Sequence, residues 1–142
     1  MQDLNKKNIE DKLLHFYYKT DYIIFKPKII INIDKKTPKV DKILKKVEKN
    51  SWAYITAYNP MSILKTEEEN LIAQKNLIKE IEKEFIFFEG EGKGENSEWK
   101  PEKSILIIGI SKENAIEIGN KYNQKAIVFG YLNQKAKLIL LN

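Results

Sequence analysis

The sequence predicts an α/β or α+β domain in which a mixed β-sheet is flanked by about four helices and ends in an antiparallel hairpin. Three observations carry that expectation. Runs rich in β-branched and aromatic residues alternate with stretches whose apolar residues recur at every third or fourth position. Ser104 to Ile110 is almost unbroken apolar sequence, the pattern of a strand covered on both faces. Two more apolar runs, Ala126 to Tyr131 and Lys137 to Leu141, stand either side of a connection short enough for a hairpin. With 142 residues, 42% of them hydrophobic and 32% charged, the chain can bury one core, and residues 1–142 are read as a single domain.

The elements follow in order. Asn8 is placed to cap a short helix over about residues 9–18, with Ile9, Leu13, Phe16 and Tyr17 on one side. Tyr22 to Phe25 and Lys28 to Ile33 read as strands, and Pro27 between them points to an edge or a bulge. Thr37-Pro38 has the form of an N-cap followed by proline in the first helical turn. Val40, Ile43, Leu44 and Val47 then make a narrow apolar stripe, and Lys39, Lys42, Lys45, Lys46 and Lys49 take the remaining surface. Trp52 to Tyr58 alternates with period two: Trp52, Tyr54, Thr56 and Tyr58 face one way, Ala53, Ile55 and Ala57 the other. Asn59-Pro60 ends that strand. Thr66-x-x-Glu69 is a capping box ahead of a helix to about Glu84 that should bury Leu71, Ile72, Leu77, Ile78 and Ile81. Phe85 to Phe88 reads as a short strand and residues 89–103 as a loop. Ser111 caps a last helix whose inner face carries Ala115, Ile118, Gly119 and Tyr122.

Composition removes several kinds of chemistry. There is no cysteine, hence no disulfide, no thiolate nucleophile and no sulfur-ligated zinc. His15 is the sole histidine and Asp41 the last aspartate, which excludes a multi-histidine metal site and speaks against a histidine-based triad. No metal and no cofactor are expected. All 25 basic residues are lysine, so a phosphate would meet point charges and never the planar fork of a guanidinium. The net charge of +5 is unevenly spread: 14 lysines face 7 acids in residues 1–65, 6 face 11 in 66–103, and 5 face 2 in 104–142. No apolar run reaches the roughly 20 residues needed to cross a bilayer. The opening residues lack the apolar stretch of a secretory signal, so a soluble, cytoplasmic protein without membrane contact is expected.

Three polar groups of residues could carry chemistry. Thr56-Ala-Tyr58-Asn59-Pro60 sits where a strand ends, a place at which a rigid sheet can present polar side chains to a ligand. Gly90, Gly92 and Gly94 alternate with Glu89, Glu91, Lys93 and Glu95; the spacing fits neither phosphate-binding glycine motif, and the reading is a flap over a pocket or an inert surface loop. Glu102 and Ser104 stand at the entrance of the most apolar strand, with Tyr122 and Gln124 later at the end of a helix. A carboxylate in that position is a candidate general acid or base.

With those residues in view, the sequence resembles a bacterial family known as domain of unknown function 3293. The resemblance runs through Trp52-Ala-Tyr-Ile-Thr-Ala-Tyr-Asn-Pro60, Glu69-Asn70, the glycine-bearing segment, Glu102-x-Ser104 and Gln124-Lys-Ala-Ile127, over about residues 52–131. The Ile-Thr-Ala-Tyr-Asn-Pro segment is its most specific part, and residues 1–50 add little. The family has no established activity. What the resemblance implies is that Thr56, Asn59, Asn70, Glu102, Ser104 and Gln124 form a pattern at element ends.

Two function classes stay open. The leading one is a site for a small-molecule or nucleotide-like ligand, for binding alone or with hydrolysis, formed by those six residues under the segment 89–103; whether it is an enzyme stays open, with Glu102 as the candidate catalytic residue. The other is a non-catalytic module that meets protein or nucleic acid through the lysine-rich surface of residues 26–49. Oligomeric state is left open too, because an apolar final strand pairs across a dimer as readily as within a sheet.

Overall fold

The computed structural model describes residues 11–95 and 100–141. Helix α1 occupies residues 11–18. It is followed by β1 (Asp21–Ile24), β2 (Ile29–Ile31), α2 (Pro38–Lys46), β3 (Ser51–Ile55), α3 (Glu67–Glu82), β4 (Ile86–Lys93), β5 (Glu102–Ile108), α4 (Lys112–Lys121), β6 (Ala126–Tyr131) and β7 (Lys137–Leu140), with a 3-10 turn at Pro60–Ser62. Asn8 and Ile9, expected at the start of the first helix, lie outside the described residues.

The strands form one sheet in the order β2-β1-β4-β5-β3-β6-β7. Every pairing is antiparallel. The α+β class and the closing β6-β7 hairpin are as expected, but the sheet is not mixed. The reason lies in the crossovers. Helix α3 links β3 to β4 and α4 links β5 to β6, and each time one strand is inserted between the two that the helix joins. Helices therefore connect strands of the same direction that are not neighbours, which is the ferredoxin-like β-α-β-β-α-β arrangement. The β1-β2 hairpin extends this core on the β4 side and β7 extends it on the β6 side.

The sheet curls until its two ends touch. Beyond β2, Asp34 N donates to Ala136 O at 2.8 Å and Ala136 N to Lys35 O at 2.9 Å, beside an isolated bridge between Lys36 and Lys135. These bonds occupy backbone groups that an open edge would offer to another chain. Curling gives the sheet an inner and an outer face. Ala53, Ile55, Ile105, Ile107, Ile127 and Phe129 face outward and are buried with Leu77, Ile81 and Ala115 of α3 and α4. Tyr22, Ile24, Ile31, Trp52, Tyr54, Leu106 and Val128 face inward and pack with Val40 and Leu44 of α2 and with Tyr17 of α1. At the paired positions Trp52 and Gly130, the indole lies where a side chain at 130 would be, 2.4 Å from an added Cβ.

Two helix readings need correction. Thr37 takes the N-cap position of α2, but its hydroxyl makes no capping bond. In α3 the capping box is complete, with Thr66 accepting from Glu69 N and Glu69 from Thr66 N. Its buried face, however, is Asn70, Gln74, Leu77 and Ile81, while Ile72 is 55% exposed. Hydrogen bonds fix this rotation: Ala57 N donates to Gln74 Oε1 at 3.0 Å and Asn59 N to Asn70 Oδ1 at 2.9 Å. Buried backbone donors at the end of β3 thus take two polar side chains of α3 that an apolar-stripe reading turns outward.

The segment 89–103 is the largest difference. Glu89 to Lys93 continue β4, pairing with β1 on one side and β5 on the other, and Glu102 and Lys103 begin β5, so these residues are strand where a flap or surface loop was expected. Glycine alternating with charged residues is itself a period-two pattern; with no side chain on the inner face it leaves no hydrophobic trace.

Candidate functional site

The inward positions of β4 are Phe88, Gly90 and Gly92, and what they lack makes a hollow. Gly90 is required by close approach, because a Cβ there would stand 1.8 Å from Ile23 O of the neighbouring strand. At Gly92 an added Cβ would meet only Thr20 Cγ2, at 3.8 Å. In front of Gly92 lies a cavity of about 340 Å³, within the range of small-molecule sites. Its apolar wall includes Leu13 and Phe16 of α1, Val128 of β6 and Leu138 of β7. His15 Nε2 and Glu95 Oε1, 3.0 Å apart, tie α1 to the chain just past β4.

The polar side of the cavity grows from the end of β3. Thr56 Oγ1 donates to Lys103 O at 2.6 Å and accepts from Tyr58 N at 3.0 Å, holding the departing strand against β5. Asn59 then turns left-handed (φ 45°), a conformation asparagine tolerates, and Met61 (φ 57°) and Ser62 (φ 60°) follow suit. The turn is held by its surroundings. Asn59 Oδ1 accepts from Asn70 Nδ2 and Lys65 N, each at 2.9 Å, and Met61 N donates to Asn123 O at 2.7 Å. Asn59 Nδ2 donates to Glu102 Oε1 at 2.8 Å, which brings the carboxylate to the cavity wall. Gln124 Nε2 donates to Tyr58 O at 3.1 Å from the end of α4. Ser104 is buried, with its hydroxyl on Glu102 O at 3.0 Å.

Of the six residues expected to form a site, Thr56, Asn59, Glu102, Ser104 and Gln124 line this one cavity. Asn70 stands behind Asn59, joined to it by two hydrogen bonds. Glu102 is half-buried at the end of β5, opposite Gly92 in the register.

The sequence reading had Tyr58 in its first polar group but missed the other three tyrosines. Tyr17, Tyr22, Tyr54 and Tyr58 all line the cavity. Tyr22 and Tyr54 meet edge to face, ring centres 5.4 Å apart at 74°, and form a corner. Their hydroxyls donate to Tyr17 O and Ile23 O, both at 2.8 Å. Burial pushes the Tyr17 phenol above the ordinary value; a hydrogen bond with Ser62 opposes the shift and the Glu102 charge adds to it. Burial raises Tyr22 further, followed by Tyr17 and, more weakly, Glu102, against a hydrogen bond with Thr20. Tyr54 is raised by burial against a hydrogen bond with Ser104. Period two in residues 52–58 was a usable signal for Tyr54. Gln74, buried on α3, gave no signal of its own.

The comparisons with known proteins agree with the resemblance. Residues 55–127 match the family described as a protein of unknown function, DUF3293. This chain belongs to that family. No curated protein and no solved structure matches it. The matched span runs from the end of β3 to the start of β6 and holds all six polar residues, whereas Tyr17, Tyr22 and Tyr54 lie ahead of it. Among the described residues no helix is long and apolar enough to cross a membrane.

Proposed function

We propose that this domain binds a small organic molecule in the cavity in front of Gly92. The observation that carries the reading is convergence: residues of α1, β1, β3, β5, the 3-10 turn and the α4-β6 junction, far apart in the chain, meet on one mostly apolar hollow of about 340 Å³ with a few fixed polar groups. The left-handed residues 59, 61 and 62 at its rim support the same reading, since strained backbone persists where its surroundings over-determine it. A hydrolytic step in this cavity falls to Glu102 as general base toward water, because Glu102 is the one acid among the described residues that line it.

The test uses Gly92→Phe, which fills the hollow where a Cβ is accommodated. Ligand-observed NMR against a mixed metabolite library is expected to give binders for the natural chain and none for the filled variant at unchanged unfolding temperature. Binders that survive Gly92→Phe refute the reading.

A second reading, a module that meets nucleic acid, has its own observation. Lys28, Lys36 and Lys39 line a groove at the start of α2 that includes no acid, beside Thr37, whose buried hydroxyl has no partner. Affinity for single-stranded DNA that falls steeply with salt supports it, and absence of binding at low salt removes it.

A further inference from the structure

Two grooves away from the hollow carry lysines, and they meet at one of them. The first, at the start of α2, is lined by Lys28, Lys36 and Lys39. In the second, beside β6 and β7, Lys36, Lys112, Lys135 and Lys137 stand around Tyr131. Lys36 belongs to both, so the two make one basic tract across the seam that closes the curl. Neither groove is lined by an acid among the described residues. Asp34 Oδ1 lies 3.1 Å from Lys137 Nζ, an exposed ion pair of the weak, solvent-facing kind.

The seam sets two cations against each other. Lys36 and Lys135 are partners in an antiparallel bridge, which puts both side chains on one face with Cβ atoms about 4.5–5.5 Å apart. Like charges in that position cost stability, and an anion between them removes the cost. Tyr131 supplies a different contact. Its ring is 51% exposed and meets the buried Phe129 edge to face, centres 5.0 Å apart at 83°. An exposed aromatic steadied by its neighbour offers a nucleobase a stacking surface at little cost in ordering.

We propose that this tract binds single-stranded nucleic acid, with phosphates at Lys36, Lys135 and the flanking lysines and a base against Tyr131. It extends the nucleic-acid reading of residues 26–49 to the last two strands, and rests on that reading. Lysine suits the role, because point charges on flexible stems follow a flexible backbone and demand no fixed fork geometry. The stacking ring selects the single strand, since the bases of a duplex already stack on one another.

Fluorescence anisotropy on the whole chain, with a labelled oligothymidylate of about 12 nucleotides, tests the assignment. Binding at low salt is expected, with Lys112→Ala and Lys135→Ala each lowering the salt slope by about 0.7. Tyr131→Ala is expected to weaken binding about tenfold at unchanged slope and unfolding temperature, and Tyr131→Phe to retain it. Polyphosphate, which has the charge without the bases, is expected to bind more weakly and to ignore Tyr131→Ala. Oligonucleotide binding that either Tyr131→Ala or Lys135→Ala leaves unchanged overturns the assignment, as does a duplex or polyphosphate bound as tightly. The reading of residues 26–49 survives that result where Lys28→Ala combined with Lys39→Ala still weakens the oligonucleotide. Absence of binding at low salt overturns both.

Discussion

The two faces of the curled sheet are made by alternate residues of the same strands, yet one is solid and the other hollow. On the outer face of β5, Ile105 and Ile107 are fully buried beneath two helices. On the inner face of the neighbouring β4, the positions opposite Ser104 and Glu102 are Gly90 and Gly92. Backbone geometry is the same on both; only side-chain volume at every second residue differs. In a ferredoxin-like arrangement the two crossover helices cover one face and leave the other bare. Here the second face is closed by α1, α2 and the curl, except in front of Gly92. Cavity and core are thus alternative fillings of one frame, and substitutions can move positions from one to the other.

The largest effect is expected on the solid side. Ile107→Ala leaves a void beneath α3 and α4 and should cost about 2–5 kcal/mol, read as a lower urea midpoint at unchanged slope. Next comes the inner position with no room. Gly90→Ala should lose about 1–3 kcal/mol, because β1 must move off Ile23 O to admit a methyl group; amide exchange is expected to quicken in β1 and β2 before the rest of the sheet.

Tyr54→Phe removes the bond its hydroxyl donates to Ile23 O and the one it shares with Ser104, and should cost about 0.5–1.5 kcal/mol at neutral pH. It also carries a pH signature. The folded chain holds the Tyr54 and Tyr22 phenols above their ordinary value of 10.0, chiefly by burial. Their contribution to stability is complete below pH 10.0, the unfolded value, and is lost as pH rises from there toward the folded values. Unfolding free energy is therefore expected to drop above pH 10, less steeply in Tyr54→Phe, with part of the phenolate absorbance appearing only on unfolding. The smallest effect is the most telling. Gly92→Ala, where the added carbon meets only an ordinary contact, should stay within about 0.5 kcal/mol. A loss like that of Gly90→Ala would mean that the hollow is already filled.

Most of the strands were legible because β-branched and aromatic residues mark them directly, as in Ile105 to Ile108 and Trp52 to Ile55. The extension of β4 was not, because a strand whose inner residues are glycine and whose outer residues are charged looks like a loop to any reading that tracks hydrophobicity. The orientation of α3 failed for the opposite reason: Asn70 and Gln74 are polar yet buried, bonded to backbone that only the folded turn presents. Thr56, Asn59, Glu102, Ser104 and Gln124 of the wall, and Asn70 behind it, were legible as a family pattern. Tyr17 and Tyr22 were not, since an aromatic at strand or helix spacing reads as core. Nothing local in either segment announces that it faces a space.

The small seam where residues 34–36 meet 135–136 bears on how the protein is made. A nascent chain leaves the ribosome with its earliest residues first, so α1, β1 and β2 emerge long before the partner that closes the curl. Val128 and Leu138, on the far wall of the hollow, emerge long after them. Closure thus waits on contacts between residues far apart in the chain, the slow kind of folding event. Until then the tyrosine corner stays open to any small solute nearby, which could be enclosed as the last strand docks.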